Sequence, residues 1–182
     1  MKNIYIVLSQ TGSMPSKALR FFTHDEYNHV SISLTPTLDK MYSFGRLNAN
    51  KPFPGGFVEE GKNVGTFKRF TDAKAMVIEL AVSEEKYNCI KYFINYFLEH
   101  KQEFKYNYLG ILFAFFKKNH QKGKRYYCSQ FVRACLALFD IENAVELPEM
   151  IKPIDFLKLN NANVIYQGML QNYITVSDNL SL

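Results

Sequence analysis

The dominant hydrophobic period of this chain changes near Ser83, and that change restricts the folds open to it. Before it, apolar residues come in short β-branched runs or alternate with polar ones: "NIYIVLS", "NHVSISLT", "KMYSFGR" and "AKAMVIELAV". These read as strands. In "NHVSISLT", His29, Ser31 and Ser33 fall on one face and Val30, Ile32 and Leu34 on the other, which predicts a half-buried strand. "PTLD" turns it back into "KMYSFGR" as a hairpin. "NANKPFPGGFVEEGKNVG" is rich in Gly, Pro and Asn and predicts a long irregular loop with one short strand at "GFVEE".

From Ser83 onward the spacing is helical. Ser83 is a cap, Glu84 and Glu85 occupy the first turn, and Tyr87, Ile90, Ile94, Phe97 and Leu98 recur along one face. "YNYLGILFAFFKK" reads as a second helix and "YCSQFVRACLALF" as a third, with Phe131, Cys135, Leu138 and Phe139 roughly along one face. "TGSMPSKALRFFT" opens a short early helix capped by Ser13, "PIDFLKLN" a short late one, and "NVIYQGM" a closing strand. Strands first and helices later, without a βαβ rhythm, predict an α+β fold and exclude a doubly wound sheet.

The 182 residues suit one domain, 1–182, and the 47% apolar content is that of a packed core. The net charge of +5 is mild, with one basic cluster, "KKNHQKGKR", from Lys117 to Arg125. Such a run is a solvated loop or a contact for an anionic surface. No zinc-finger spacing or RNA-binding signature accompanies it, so no nucleic-acid partner is expected. Three cysteines without paired spacing argue against a disulfide framework and for a reducing compartment. Ile4 to Leu8 is too short for a signal peptide's apolar region. No stretch reaches the roughly 20 apolar residues of a membrane span. A cytoplasmic protein is expected. No metal-ligand set or phosphate loop is visible, so no metal and no cofactor is expected. Glu59 and Glu60 are adjacent on a strand and point to opposite faces, which makes them poor partners for one reaction. Oligomeric state is not legible.

Two residues carry chemistry. Cys128 stands where the aromatic segment "KRYY" becomes a helix, and free N–H groups at a helix start favour a thiolate. A cysteine among aromatics is also what packing produces. His29 opens a strand, a position that suits a satisfied structural histidine or a base. A helix-start cysteine facing a strand histidine is how thiol hydrolases build their ion pair. His24, His100 and His120 fall in loops or at helix ends, less well placed.

"YNHVSISL" followed much later by "YYCSQFV" resembles the permuted members of the papain-like NlpC superfamily, which include YiiX-like bacterial proteins and relatives of lecithin retinol acyltransferase. Their nucleophile motif is a cysteine, a small residue and an aromatic–aliphatic pair opening a helix, and "CSQFV" is similar to it. In the permuted branch the histidine strand comes first, as here. The resemblance implies a permuted papain-like fold, a small antiparallel sheet or barrel packed against helices. It implies a cysteine hydrolase or acyltransferase acting on an amide or ester of a cell-wall peptide, small peptide or lipid. Cys128 would be the nucleophile and His29 the base. The third member is expected on the strand after the histidine, where Ser43, with Tyr42 next, is the available polar residue. Tyr127 would line the oxyanion side or serve as structural packing, and Gln10, after the first strand, is a further polar contributor. Ser43 is not the His, Asn or carboxylate typical of that family. That departure leaves open a binding or interaction module that keeps the pocket with little turnover.

Overall fold

The computed structural model describes residues 1–11, 26–48, 50–110 and 123–174. The expected helix after Ser13, most of the expected helix from Tyr106, His24, His120 and the basic run up to Lys122 lie outside the described residues; at the start of that helix, Tyr106 is in a strand instead.

The architecture is mixed α+β. Eight strands form one open sheet: β1 (Lys2–Gln10), β2 (His29–Ser33), β3 (Met41–Asn48), β4 (Lys51–Glu60), β5 (Lys74–Val82), β6 (Lys105–Tyr106), β7 (Arg125–Tyr126) and β8 (Asn163–Met169). Their order is β7-β6-β4-β3-β2-β1-β5-β8, and every pair is antiparallel except β6 with β7. Among the described residues the helices are α1 (Gly65–Arg69), α2 (Glu84–Glu99) and α3 (Cys128–Leu138), with 3-10 turns between later elements. The sheet is larger than the small one expected. No described helix is long and apolar enough to cross a membrane.

Alternation sets both faces. Ile4, Ile6 and Leu8 of β1 join Val30, Ile32, Phe44 and Phe57 under α2 and α3. Tyr5 and Val7 point the other way, to Met41, Phe67 of α1, Val77 and Leu170. β2 is therefore covered on both faces, and the expectation of a half-buried strand is corrected: Ser31 and Ser33 are fully buried. Their hydroxyls are satisfied, Ser33 donating to the carbonyls of Thr35 and Lys40 and Ser31 to Glu60. The main core is aromatic. Phe97 lies 5.1 Å from Phe131 and 5.4 Å from Phe57 between ring centroids, and such pairs add about 0.5–1.5 kcal/mol each beyond area burial.

The stretch read as an irregular loop is instead β4, a full strand paired with β3 from Met41↔Glu60 to Asn48↔Lys51. Its outer edge meets β6 at Gly56↔Lys105. A strand so lightly paired on one side tolerates Pro52 and Pro54, whose missing N–H groups would break a central ladder. In α3 the buried stripe is Phe131, Val132, Cys135 and Leu136, while Leu138 is exposed. Ser83 caps α2 as expected, accepting from the Lys86 N–H at 3.1 Å.

Candidate active site

Cys128 is the first residue of α3 and follows the extended Tyr127. The side-chain oxygen of Gln130 accepts the Tyr127 N–H at 3.2 Å, the back-reaching half of a capping box. The same oxygen accepts from Asn107 Nδ2 at 3.2 Å, which ties the helix start to the segment after β6. The first intrahelical bond runs from Phe131 N–H to the Tyr127 carbonyl. The N–H groups of Cys128, Ser129 and Gln130 thus have no acceptor within the helix, as at any helix start.

His29 opens β2. Its side chain lies close enough to Cys128 for each to shift the other's titration, and its Nε2 lies 2.8 Å from Glu60 Oε2. With Nε2 committed to Glu60, Nδ1 is the nitrogen left for the thiol. Ser31 Oγ donates to the same Glu60 oxygen at 2.8 Å. Glu60 ends β4, two strands from His29, so the contact must cross β3. Gly45 of β3 lies at the crossing: a Cβ there would stand 3.4 Å from Glu60 Oε1 and 3.6 Å from His29 Cε1, in van der Waals contact with both.

The electrostatics follow. Burial works against a charged imidazole, but the Glu60 carboxylate, then Cys128, outweigh it and hold His29 up to about 10. Burial also opposes ionisation of Cys128. The His29 side chain, with smaller help from the Val30 backbone and Ser129, brings the thiol below its ordinary value. Glu60 is likewise held low: burial is offset by His29, Ser31 and Arg46. Cys135 goes the opposite way, pushed up by burial alone.

The sequence-predicted residues divide. Cys128 and His29 meet. Ser43 does not orient the imidazole: its hydroxyl donates to the Val30 carbonyl at 2.5 Å. The reason lies in the sheet. The β2–β3 ladder is in register only at Ile32↔Tyr42, and the Ser43 side chain supplies a bond to the separated β2 backbone. Tyr42 packs on Phe57, with ring centroids 6.5 Å apart, and its hydroxyl feels Glu59 and Tyr87 rather than the cysteine. The Tyr127 hydroxyl donates to the Ile151 carbonyl at 3.3 Å, so it anchors the chain instead of lining an oxyanion site. Gln10 is the last residue of β1, buried, one position beyond the Ser9↔His29 pair, and among the described residues no hydrogen bond joins it to Cys128 or His29. His100 sits at the end of α2 with its Nδ1 2.9 Å from the Tyr96 carbonyl.

Glu60 is the residue that sequence reasoning missed. Glu59 and Glu60 do face opposite ways, Glu59 outward and Glu60 inward. The signal was the alternation in "GGFVEE": if Phe57 and Glu59 share one face, Val58 and Glu60 share the other, with His29. Among the described residues no group of three or more His, Cys, Asp or Glu side chains is arranged to hold a metal ion.

No protein-family model, no curated protein and no solved structure matches this chain.

Proposed function

We propose that the chain is a cysteine-dependent hydrolase or acyltransferase of the permuted papain-like kind, acting on an amide or ester of a peptide or lipid. One observation supports this reading: a helix-start cysteine beside a histidine whose Nε2 meets a largely shielded carboxylate. The Glu60 carboxylate beside His29 favours turnover over the binding module that a hydroxyl in that position would leave open.

In the resting site the thiol proton resides on His29, leaving a Cys128 thiolate beside an imidazolium. The thiolate sulfur attacks the carbonyl carbon, and the carbonyl π electrons move to oxygen. N–H groups at the first turn of α3 can receive that oxyanion. As the tetrahedral centre collapses, the bond to the leaving nitrogen or oxygen breaks and the imidazolium gives that atom its proton. A thioester remains on Cys128. His29, now neutral, takes a proton from water or an acceptor alcohol as that oxygen attacks the thioester. Collapse restores the thiolate, with the proton back on His29. Glu60 accepts the other ring N–H throughout, fixing the tautomer and stabilising the imidazolium.

The test is the acyl-enzyme. Mixed with 4-nitrophenyl acetate, the protein should release a burst of nitrophenolate and gain one acetyl group, mapped by peptide mass to Cys128. Cys128→Ala should show neither. A folded protein that gives no Cys128 adduct overturns the reading.

A further inference from the structure

A groove of 380 Å³ is lined by residues of β3, β4, β6 and β7 and of the turn before β6. Its lining includes three cations, Lys101, Lys105 and Arg125, and two tyrosines, Tyr106 and Tyr108. None of its lining residues is acidic, and among the described residues none of the three cations has an ion-pair partner. The nearby carboxylate, Glu103, is paired with Lys124 instead. A concavity of this size suits a small ligand.

The groove and the reactive residues share strands. Arg125 belongs to β7, three positions before Cys128, which puts the two Cα atoms about 10 Å apart along extended chain. Gly56 in the groove wall is paired with Gly45, the glycine at the crossing of the His29–Glu60 contact. Gly55 lets the tyrosines close on β4: a Cβ there would stand 2.6 Å from the Tyr108 hydroxyl and 2.9 Å from Tyr106 Cβ. The two rings lie 4.7 Å apart and together form part of the groove wall. Tyr106 belongs to both regions, since it lines the groove and lies within electrostatic reach of Cys128 and Glu60.

We propose that this groove binds an oxyanion of the substrate, a carboxylate or a phosphate, carried about 10 Å from the scissile carbonyl on an apolar linker that lies along Tyr106 and Tyr108. The proposal rests on the thiol-hydrolase reading for the meaning of "scissile" and on the groove's own chemistry for the anion. Arg125 supplies a fork matched to an oxyanion, and Lys101 and Lys105 supply point charges.

Three 4-nitrophenyl esters of similar length test it: the neutral octanoate, the mono-ester of suberic acid and the ester of 7-phosphonoheptanoic acid. The full chain should favour the anionic esters in kcat/KM by about tenfold or more, through KM and less so at high salt. In Lys105→Gln/Arg125→Gln the anionic-to-neutral ratio should fall toward one. The larger of the two anionic ratios identifies carboxylate or phosphate as the ligand. A ratio near one in the unaltered chain, or one that ignores the double substitution, overturns the proposal. Free suberate titrated into Cys128→Ala, read by the NMR shifts of Tyr106 and Tyr108, separates the two readings. Suberate shifts without turnover of any ester keep the groove and sink the hydrolase. Turnover with neither charge preference nor suberate shifts does the reverse.

Discussion

His29 Nε2 and Glu60 Oε2 are 2.8 Å apart, although two strand positions separate β2 from β4 in the sheet, and the strand between them carries glycine where the side chains pass. Both side chains are largely shielded, at 16% and 12% exposure. A buried imidazolium therefore has one strong counter-charge, and the properties of the site depend on it.

Glu60→Gln should remove that counter-charge while keeping the shape. His29 lies above its ordinary 6.5, so its contribution to stability is complete below that value and is lost as pH rises through about 10. Glu60 lies below its ordinary 4.5, so its contribution is complete above that value and is lost as pH falls through the lower folded value. The stability gap between the unaltered chain and Glu60→Gln should be about 1–3 kcal/mol near neutrality and shrink toward both extremes. Urea titrations across pH measure it. Turnover should fall on the order of 10²–10⁴-fold.

Gly45→Ala should damage catalysis more than folding. The added methyl would crowd a Val58 methyl at 3.3 Å and touch Glu60 and His29 at 3.4 and 3.6 Å, so that any shift of β3 is passed to the pair. A displacement of a few tenths of an ångström should lower kcat about tenfold, and the larger Gly45→Val about a hundredfold. Thermal melting beside kcat for both variants checks this. An equal fall in the two quantities would assign Gly45 to packing alone.

Ser43→Ala separates the sequence expectation from the structure. An orienting hydroxyl would alter the pH–rate profile when removed. The observed bond to the Val30 carbonyl instead predicts a stability loss of about 1–3 kcal/mol with an unshifted profile.

The cysteines should label in a pH-dependent order. Cys89 is half-exposed on α2 and more accessible than Cys128, at 5% exposure, while Cys135 is fully buried. Exposure alone would place Cys89 first. The ionised state of Cys128 should reverse that order with iodoacetamide near pH 6, because alkylation requires thiolate. Peptide mapping of the folded protein reads the order, and Cys135 should stay unlabelled.

The strands β1, β2, β3, β5 and β8, the helix α2 and the helix start at Cys128 were legible because each shows its period over a full element. β4 was not, because Pro52, Pro54, Gly55 and Gly56 resemble a loop unless its lightly paired edge is known. Cys128 and His29 were legible because each stands at the end of an element. Glu60 was hidden by packing: it reaches over β3 rather than from the neighbouring strand, past Gly45. Ser43 misled because the looseness of the β2–β3 pairing, which its hydroxyl serves, is a property of the sheet and not of either strand.

The account depends most on the proton between Cys128 and His29. The ultraviolet absorbance of thiolate, taken as the difference between the protein and Cys128→Ser and titrated from about pH 4 to about pH 10, reports it. The account predicts thiolate at neutral pH that disappears only on acidification, and, in His29→Ala, thiolate that appears only as pH approaches the free-thiol value of about 8.5 or above. A Cys128 that carries no thiolate at neutral pH, or whose titration is the same with and without His29, would contradict it.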